Sequence, residues 1–135
     1  MARNWTLRDA FAHFDGAKAD NPRWGWSAVS ADGETVVLAL WEHLFRVVDG
    51  RLVHGNVDRT PKPANWHKLP GNKSRIKHLR HAMDRCGGRF RVVRVRAVDP
   101  KAEPPSIAER WPDETLVMRV DELSNNGEFR ASIVS

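Results

Sequence analysis

Residues 89–98 read Arg-Phe-Arg-Val-Val-Arg-Val-Arg-Ala-Val, a stretch in which four arginines stand among six apolar residues. Successive side chains of a β-strand point to opposite faces. A strand that is buried on one face therefore has its polar residues either all at odd-numbered or all at even-numbered positions. The first two arginines of this stretch have odd residue numbers and the last two have even ones: Arg89, Arg91, Arg94 and Arg96. We therefore predict a strand with a β-bulge or sharp bend between Val92 and Val93, which would keep all four arginines on one side.

A helix is predicted just before this strand, from Asn72 or Ser74 to about Cys86, with Gly87 and Gly88 ending it. The predicted buried stripe has helical spacing and consists of Ile76, Leu79, Met83 and Cys86. The opposite face is basic and carries Lys73, Lys77, Arg80, His81 and Arg85. Residues 55–71 form a long, proline-bearing connector in front of this helix, and connectors of this length are often functional.

Short strands and turns fill most of the remaining sequence. A first short helix is capped by Thr6 and stops at Gly16, and one helical turn is expected over 106–110. Asp49-Gly50 is a strong hairpin signal. The other predicted strands are residues 24–30, 35–41, 44–48, 51–54, 115–122 and 128–134.

These elements predict an α+β fold with two main helices and about seven short strands. The strands are expected to form a small, strongly bent, mostly antiparallel sheet or an incomplete β-barrel. A chain of 135 residues is one domain's worth of protein, so residues 1–135 are predicted to form a single domain.

The charge distribution is uneven along the chain. Residues 51–98 hold 13 Lys and Arg against 2 Asp and Glu, a net charge of +11, whereas the segments on either side are mildly acidic. A localised basic patch attracts phosphate backbones and steers their approach. The predicted phosphate contacts are Lys73, Lys77, Arg80, Arg91, Arg94 and Arg96. The alternative is a solvated helix face followed by a basic edge strand that discourages aggregation.

The six tryptophans are the second candidate feature, because an indole face stacks on an exposed base. Trp66 lies in the proline-bearing connector, and Trp26 projects from a strand, so we predict that these two stack on a base. Most tryptophans are core residues, and we expect a core position for Trp24 and Trp41.

Catalysis and metal binding have weaker support. The chain has one cysteine, Cys86, and it lies on the predicted apolar stripe, so we expect neither a metal site nor a cofactor. Nucleotide-binding and hydrolase motifs such as G-x-x-x-x-G-K-[ST] and G-x-S-x-G are absent from the sequence. A small metal-independent nuclease remains an alternative, with His54 or His43 as acid or base and Arg51 or Arg59 on the phosphate.

Residues 24–27, 32–41 and 70–79 resemble segments of uncharacterised bacterial proteins, and that resemblance implies no activity. A small bent sheet with two helices and a tryptophan-bearing loop is similar in architecture to the PUA-like group, including EVE and ASCH domains. That resemblance implies recognition of RNA or of modified DNA bases in an aromatic-lined pocket.

The sequence therefore predicts a DNA- or RNA-binding domain, one form of which is a modified-base reader, and it favours binding over catalysis. A protein-interaction module that docks an acidic partner is a third alternative. The longest apolar run, Val36 to Trp41, is six residues, and the N-terminus has no apolar region of a signal peptide. We accordingly expect a cytoplasmic protein without membrane contact.

Overall fold

A computed structural model describes residues 4–20, 26–55, 70–99, 101, 106–125 and 127–134. Within these ranges the chain forms two α-helices, a short 3₁₀ helix over Glu42–Leu44 and seven strands. The elements are α1 (Leu7–Ala12), β1 (Ser27–Val29), β2 (Val36–Trp41), β3 (Phe45–Val48), β4 (Arg51–Gly55), α2 (Pro70–Arg85), β5 (Arg89–Ala97), β6 (Ile107–Leu123) and β7 (Phe129–Ile133).

The seven strands form one sheet in the order β1-β2-β5-β6-β7-β4-β3. Neighbouring strands are antiparallel except β2 and β5, which run parallel. The sheet does not close, since β1 and β3 are its two edges. The predicted fold class is confirmed as an α+β fold with an open, bent, mostly antiparallel sheet.

Local signals in the sequence set two of the predicted element ends. The backbone N–H of Asp9 donates to the Thr6 hydroxyl at 3.1 Å, so Thr6 is the N-cap of α1. Asp49 and Gly50 join β3 to β4 with positive φ angles of 52° and 77°, as a two-residue hairpin turn requires.

Each face of the sheet is covered by one helix over part of its area. On the α2 side, Leu79 and Ala82 of the helix pack with Phe90 and Val92 of β5 and with alternate residues of β2. On the α1 side, a second core combines residues from the first helix and its following loop with the sheet: Ala10, Phe11, Phe14, Ala17, Ala28, Val37, Val93 and Val95. The two helices therefore cover different halves of β5, one on each face.

This division corrects the prediction for the four arginines of β5. Residues 37–41 of β2 pair with residues 91–95 of β5 without interruption, so β5 alternates regularly and its arginines point to both faces. Arg89 and Arg91 lie on the α1 side, and Arg94 and Arg96 lie on the α2 side. A register shift does occur beside Val92, but the extra residues, 114–116, belong to β6.

The buried stripe of α2 also differs from the predicted one. Met83 is 49% exposed, whereas Asn72, Arg75 and His78 are buried on the same side as Leu79. Polar side chains are stable at these buried positions because they have hydrogen-bond partners there, such as the bond that Arg75 donates to Asn72. A pattern of apolar residues alone assigns such positions to solvent.

The helical turn predicted over 106–110 is wrong, because Ile107 begins β6 and Glu109 and Arg110 pair with β5. Most of the predicted 55–71 connector, residues 56–69, lies outside the described residues, as does Trp24. None of the helices in the described part of the chain is long and apolar enough to cross a membrane.

Candidate nucleic-acid interface

The three cations predicted on α2 share one exposed face of the helix. Lys73, Lys77 and Arg80 line an open groove of about 540 Å³. Two carboxylates line the same groove: Asp20, which accepts from Lys77 at 2.9 Å, and Asp84. The structure therefore brings these three predicted residues together, but the carboxylates offset much of their charge.

The two arginines at the end of β5 lie in a network of carboxylates on the α2 side. Arg96 is 2.9 Å from Glu42 and 2.8 Å from Glu109, and Arg94 is 3.1 Å from Asp113. The hydrogen bond that Arg96 donates to Glu42 is the main reason why the pKa of Arg96 is raised. A phosphate would have to compete with these carboxylates for both guanidinium groups.

Arg91 lies on the other side of the sheet. Its guanidinium is 4.7 Å from the ring centroid of Phe14 and donates to the backbone carbonyl of Glu114 at 3.1 Å. The six predicted phosphate contacts therefore form no continuous surface: three lie on α2, two in the carboxylate network, and Arg91 on the α1 side.

A larger set of arginines meets on the part of the α1 side that α1 leaves uncovered. Consecutive Cα partners form a row across five strands: Arg89, Arg119, Ser132, Val53 and Arg46. Residues two positions along a strand point to the same face, which adds Arg91, Arg130 and Arg51. We call this surface the arginine face, and it comprises Arg46, Arg51, Arg89, Arg91, Arg119 and Arg130.

Most of the arginine face is accessible and only partly neutralised. Arg46, Arg51, Arg89 and Arg119 are exposed. The side chains of Arg89 and Arg119 make no hydrogen bond or ion pair with any residue that the structure describes. Two carboxylates of the described residues lie beside this surface: Glu122 is 3.0 Å from Arg130, and Asp121 accepts from the Ser132 hydroxyl.

Sequence reasoning missed Arg46, Arg119 and Arg130 because they lie outside the basic segment 51–98. They join Arg89 only through the β5–β6–β7–β4–β3 order, which pairs strands that are distant in the chain. The odd parity of Arg89 and Arg91 was the available signal that part of the α1 side is polar.

Of the two tryptophans predicted to stack on a base, Trp66 lies outside the described residues. Trp26 is half-buried, and the guanidinium of Arg75 lies 4.9 Å from its ring centroid. Arg75 also lies 5.2 Å from the ring of Phe129. One face of Trp26 is therefore already stacked against a buried cation of α2.

His54 is enclosed beside this cluster, with its ring 4.6 Å from Phe45 and 6.2 Å from Phe129. It is 3% exposed, and Nε2 donates to the carbonyl of Trp41 at 3.1 Å. Burial lowers the pKa of His54 to about 3, so the ring is neutral at physiological pH. A side chain that is 3% exposed gives no support to the nuclease alternative in which His54 is the acid or base.

A serine, a histidine and an aspartate are aligned at the rim of the α2 groove. The Ser27 hydroxyl is 2.6 Å from Nδ1 of His78, and Nε2 of His78 is 3.4 Å from Asp20. Burial lowers the pKa of His78, and the hydrogen bond from Lys77 lowers the pKa of Asp20. In a hydrolytic triad the serine meets the substrate. Ser27 is fully buried, so this alignment connects the helix to β1 and does not by itself indicate a hydrolytic site.

The described residues contain no group of three or more His, Cys, Asp or Glu side chains placed to hold a metal ion. Comparison with protein-family models, with curated proteins and with solved structures finds no match to this chain. The resemblance to PUA-like domains therefore stays a prediction, and function has to be argued from the surfaces described above.

Proposed function

We propose that this protein binds nucleic acid and that the arginine face is its main contact with the phosphate backbone. The observation that carries the proposal is the row that places Arg89, Arg119 and Arg46, all three exposed, on one face of the sheet. Guanidinium groups bind phosphate oxygens with paired hydrogen bonds and are weakly hydrated, so arginine suits this contact better than lysine.

The local charge balance supports an anionic partner. Six arginines contribute to the face, and four of them, Arg46, Arg51, Arg89 and Arg119, are exposed. Glu122 pairs with Arg130, and Asp121 accepts from the neighbouring Ser132. Each arginine that neutralises a phosphate releases condensed counterions, which makes such contacts strong at low salt. Because phosphate contacts position a protein without reading bases, the face alone implies no sequence preference.

The cations of α2 have a secondary part in this proposal. Lys73, Lys77 and Arg80 are exposed on the opposite side of the sheet and remain candidates for weaker backbone contact. Asp20 and Asp84 in the same groove reduce the local potential. The groove is therefore expected to add to electrostatic steering more than to the bound state.

Two triple variants test this assignment because they remove equal charge from opposite sides of the molecule. The first replaces Arg46, Arg89 and Arg119 with glutamine, and the second replaces Lys73, Lys77 and Arg80 with glutamine. Affinity for a labelled oligonucleotide is measured over a salt series, and circular dichroism checks folding. We expect the first variant to lower the slope of log K against log salt by about 2–3, since each phosphate contact contributes roughly 0.7–0.9.

The second variant should change that slope by less than half as much. Equal losses in both variants would mean that only the total charge matters and would contradict a localised interface. A lack of binding to DNA and RNA at low salt by the unaltered protein would contradict the proposal and favour an acidic protein partner.

A further inference from the structure

The arginine face differs from surfaces that bind single-stranded nucleic acid in the aromatic side chains beside its basic residues. Single-strand binding combines a basic track with aromatic rings on which successive bases stack. Among the described residues of β3, β4, β6 and β7, none that points to this face is aromatic. Phe14, whose ring lies beneath Arg91 at the edge of the face, is 5% exposed.

The aromatic residues of these strands point to the other side of the sheet. Phe45 and Phe129 pack on the α2 side with the buried His54, and Arg75 covers Phe129 and Trp26. Phe45 and Phe129, held in this way, cannot accept a base without separating the helix from the sheet. Among the described residues of these strands, the aromatic rings therefore lie on the opposite side of the sheet from the exposed arginines.

The dimensions of the row favour a wide, rigid anion. From Arg89 on β5 to Arg46 on β3 there are four strand-to-strand steps, which span about 19 Å at the usual strand spacing. That distance exceeds the ~12 Å width of the major groove of a duplex, so the two ends can reach phosphates on both strands. A duplex also presents one charge per ~1.7 Å of its axis, about twice the density of one strand.

We infer that the partner of the arginine face is the backbone of a double-stranded nucleic acid, bound without reading the base sequence. This inference rests on the proposed function and narrows it to a class of nucleic acid. DNA and RNA duplexes share the chemistry that the face recognises, since both present paired phosphate backbones at high charge density.

The test uses the full chain and fluorescence anisotropy with four labelled probes of equal length: a DNA duplex, an RNA duplex and one single strand of each. A shuffled-sequence duplex of the same composition is included. We expect at least one duplex to be bound about tenfold more tightly than its own single strand, and the shuffled duplex to be bound within about threefold of the original. The ratio of the two duplex affinities distinguishes DNA from RNA.

The variant Arg46→Gln, Arg89→Gln, Arg119→Gln separates this inference from the proposed function. Loss of duplex preference in the variant, with weak binding to single strands retained, supports the inference. Single strands bound as tightly as duplexes by the unaltered protein, or a tenfold preference between shuffled duplexes, would overturn it. If the variant binds every probe as the unaltered protein does, the proposed interface itself is wrong.

Discussion

Arg89 and Arg119 are direct Cα partners on β5 and β6, so two exposed side chains with guanidinium groups stand opposite each other on the α1 side of the sheet. Like charges placed opposite across two strands destabilise a sheet by a few tenths of a kcal/mol up to about 1 kcal/mol. Neither side chain is neutralised by a carboxylate among the described residues. A bound phosphate would relieve this repulsion, and the free protein retains it.

Reversing one of these charges should have opposite effects on stability and on binding. Arg119→Glu converts a repulsive pair into an attractive one, so we expect the free energy of unfolding to rise by roughly 0.2–1 kcal/mol. Nucleic-acid affinity should fall, because the row loses a cation and gains an anion. Urea denaturation and a binding titration measure the two effects.

The control for this change is Arg8→Glu, which makes the same charge reversal at an exposed position of α1. It should alter both quantities less. The double variant Arg89→Glu, Arg119→Glu restores a like-charge pair and should lose the stability gained by the single change. A gain in stability that persists in the double variant would show that Arg89 and Arg119 do not interact.

The carboxylate network on the α2 side leads to a different expectation for Arg94 and Arg96. Arg94→Ala with Arg96→Ala leaves Glu42, Glu109 and Asp113 close together without their cations. We expect a lower urea midpoint and an affinity for nucleic acid no weaker than that of Arg8→Ala with Lys101→Ala, which removes equal charge from exposed positions. If the affinity of the variant depended less on salt concentration than that of the control, Arg94 and Arg96 would contact the nucleic acid, as the sequence alone predicts.

The sequence predicts the elements of this fold better than it predicts its surfaces. Caps and turns depend on neighbouring residues, so Thr6 and Asp49-Gly50 are recognisable without a structure. Helical periodicity likewise identifies the exposed cations of α2. The shift of the β5 arginines from odd to even positions was visible in the sequence too. It does not reflect a bulge in β5. It arises because α2 covers the first half of the strand on one face of the sheet and α1 covers the second half on the other face.

The arginine face could not be predicted because it depends on strand order and register. Arg46 and Arg119 are 73 positions apart, and each stands in a segment with a net negative charge. They share a face through Val53 and Ser132, whose pairing joins β4 to β7. Pairing between strands that are distant in the sequence depends on the packing of the whole sheet, so it cannot be derived from the distribution of charges along the chain.

Gly127 and Gly50 provide a matched test of packing at the N-terminal end of α2. Both have positive φ angles, 98° and 77°, but a Cβ on Gly50 would meet open space, whereas one on Gly127 would overlap the side-chain amide of Asn72. Gly50→Ala should cost about 1–2 kcal/mol of the free energy of unfolding, from backbone strain alone. Gly127→Ala should cost roughly 1–3 kcal/mol more, because the fully buried Asn72 must move and lose hydrogen bonds. If urea denaturation gave the same loss of unfolding free energy for both variants, the Asn72 side chain would have to move aside without destabilising the protein.

The burial of His54 predicts how stability responds to acid. Its pKa is about 3 in the folded protein and near 6.5 in an unfolded chain, so the unfolded state binds the proton first as pH falls. The contribution of His54 is therefore complete above about pH 6.5 and declines by roughly 1.4 kcal/mol per pH unit down to about pH 3. Urea denaturation between about pH 7.5 and about pH 5 measures this decline before most carboxylates titrate.

His54→Gln removes this titrating group while keeping a side-chain donor for the Trp41 carbonyl. We expect the variant to be less stable near neutral pH and to have a much flatter pH dependence. Some dependence should remain, because burial also lowers the pKa of His78 and gives it the same sign. The matched control is Ala12→Gln, which introduces the same residue type at an exposed position, removes no titratable group and should retain the slope of the unaltered protein. If His54→Gln retained that slope as well, His54 would have to be accessible to protons in the folded state.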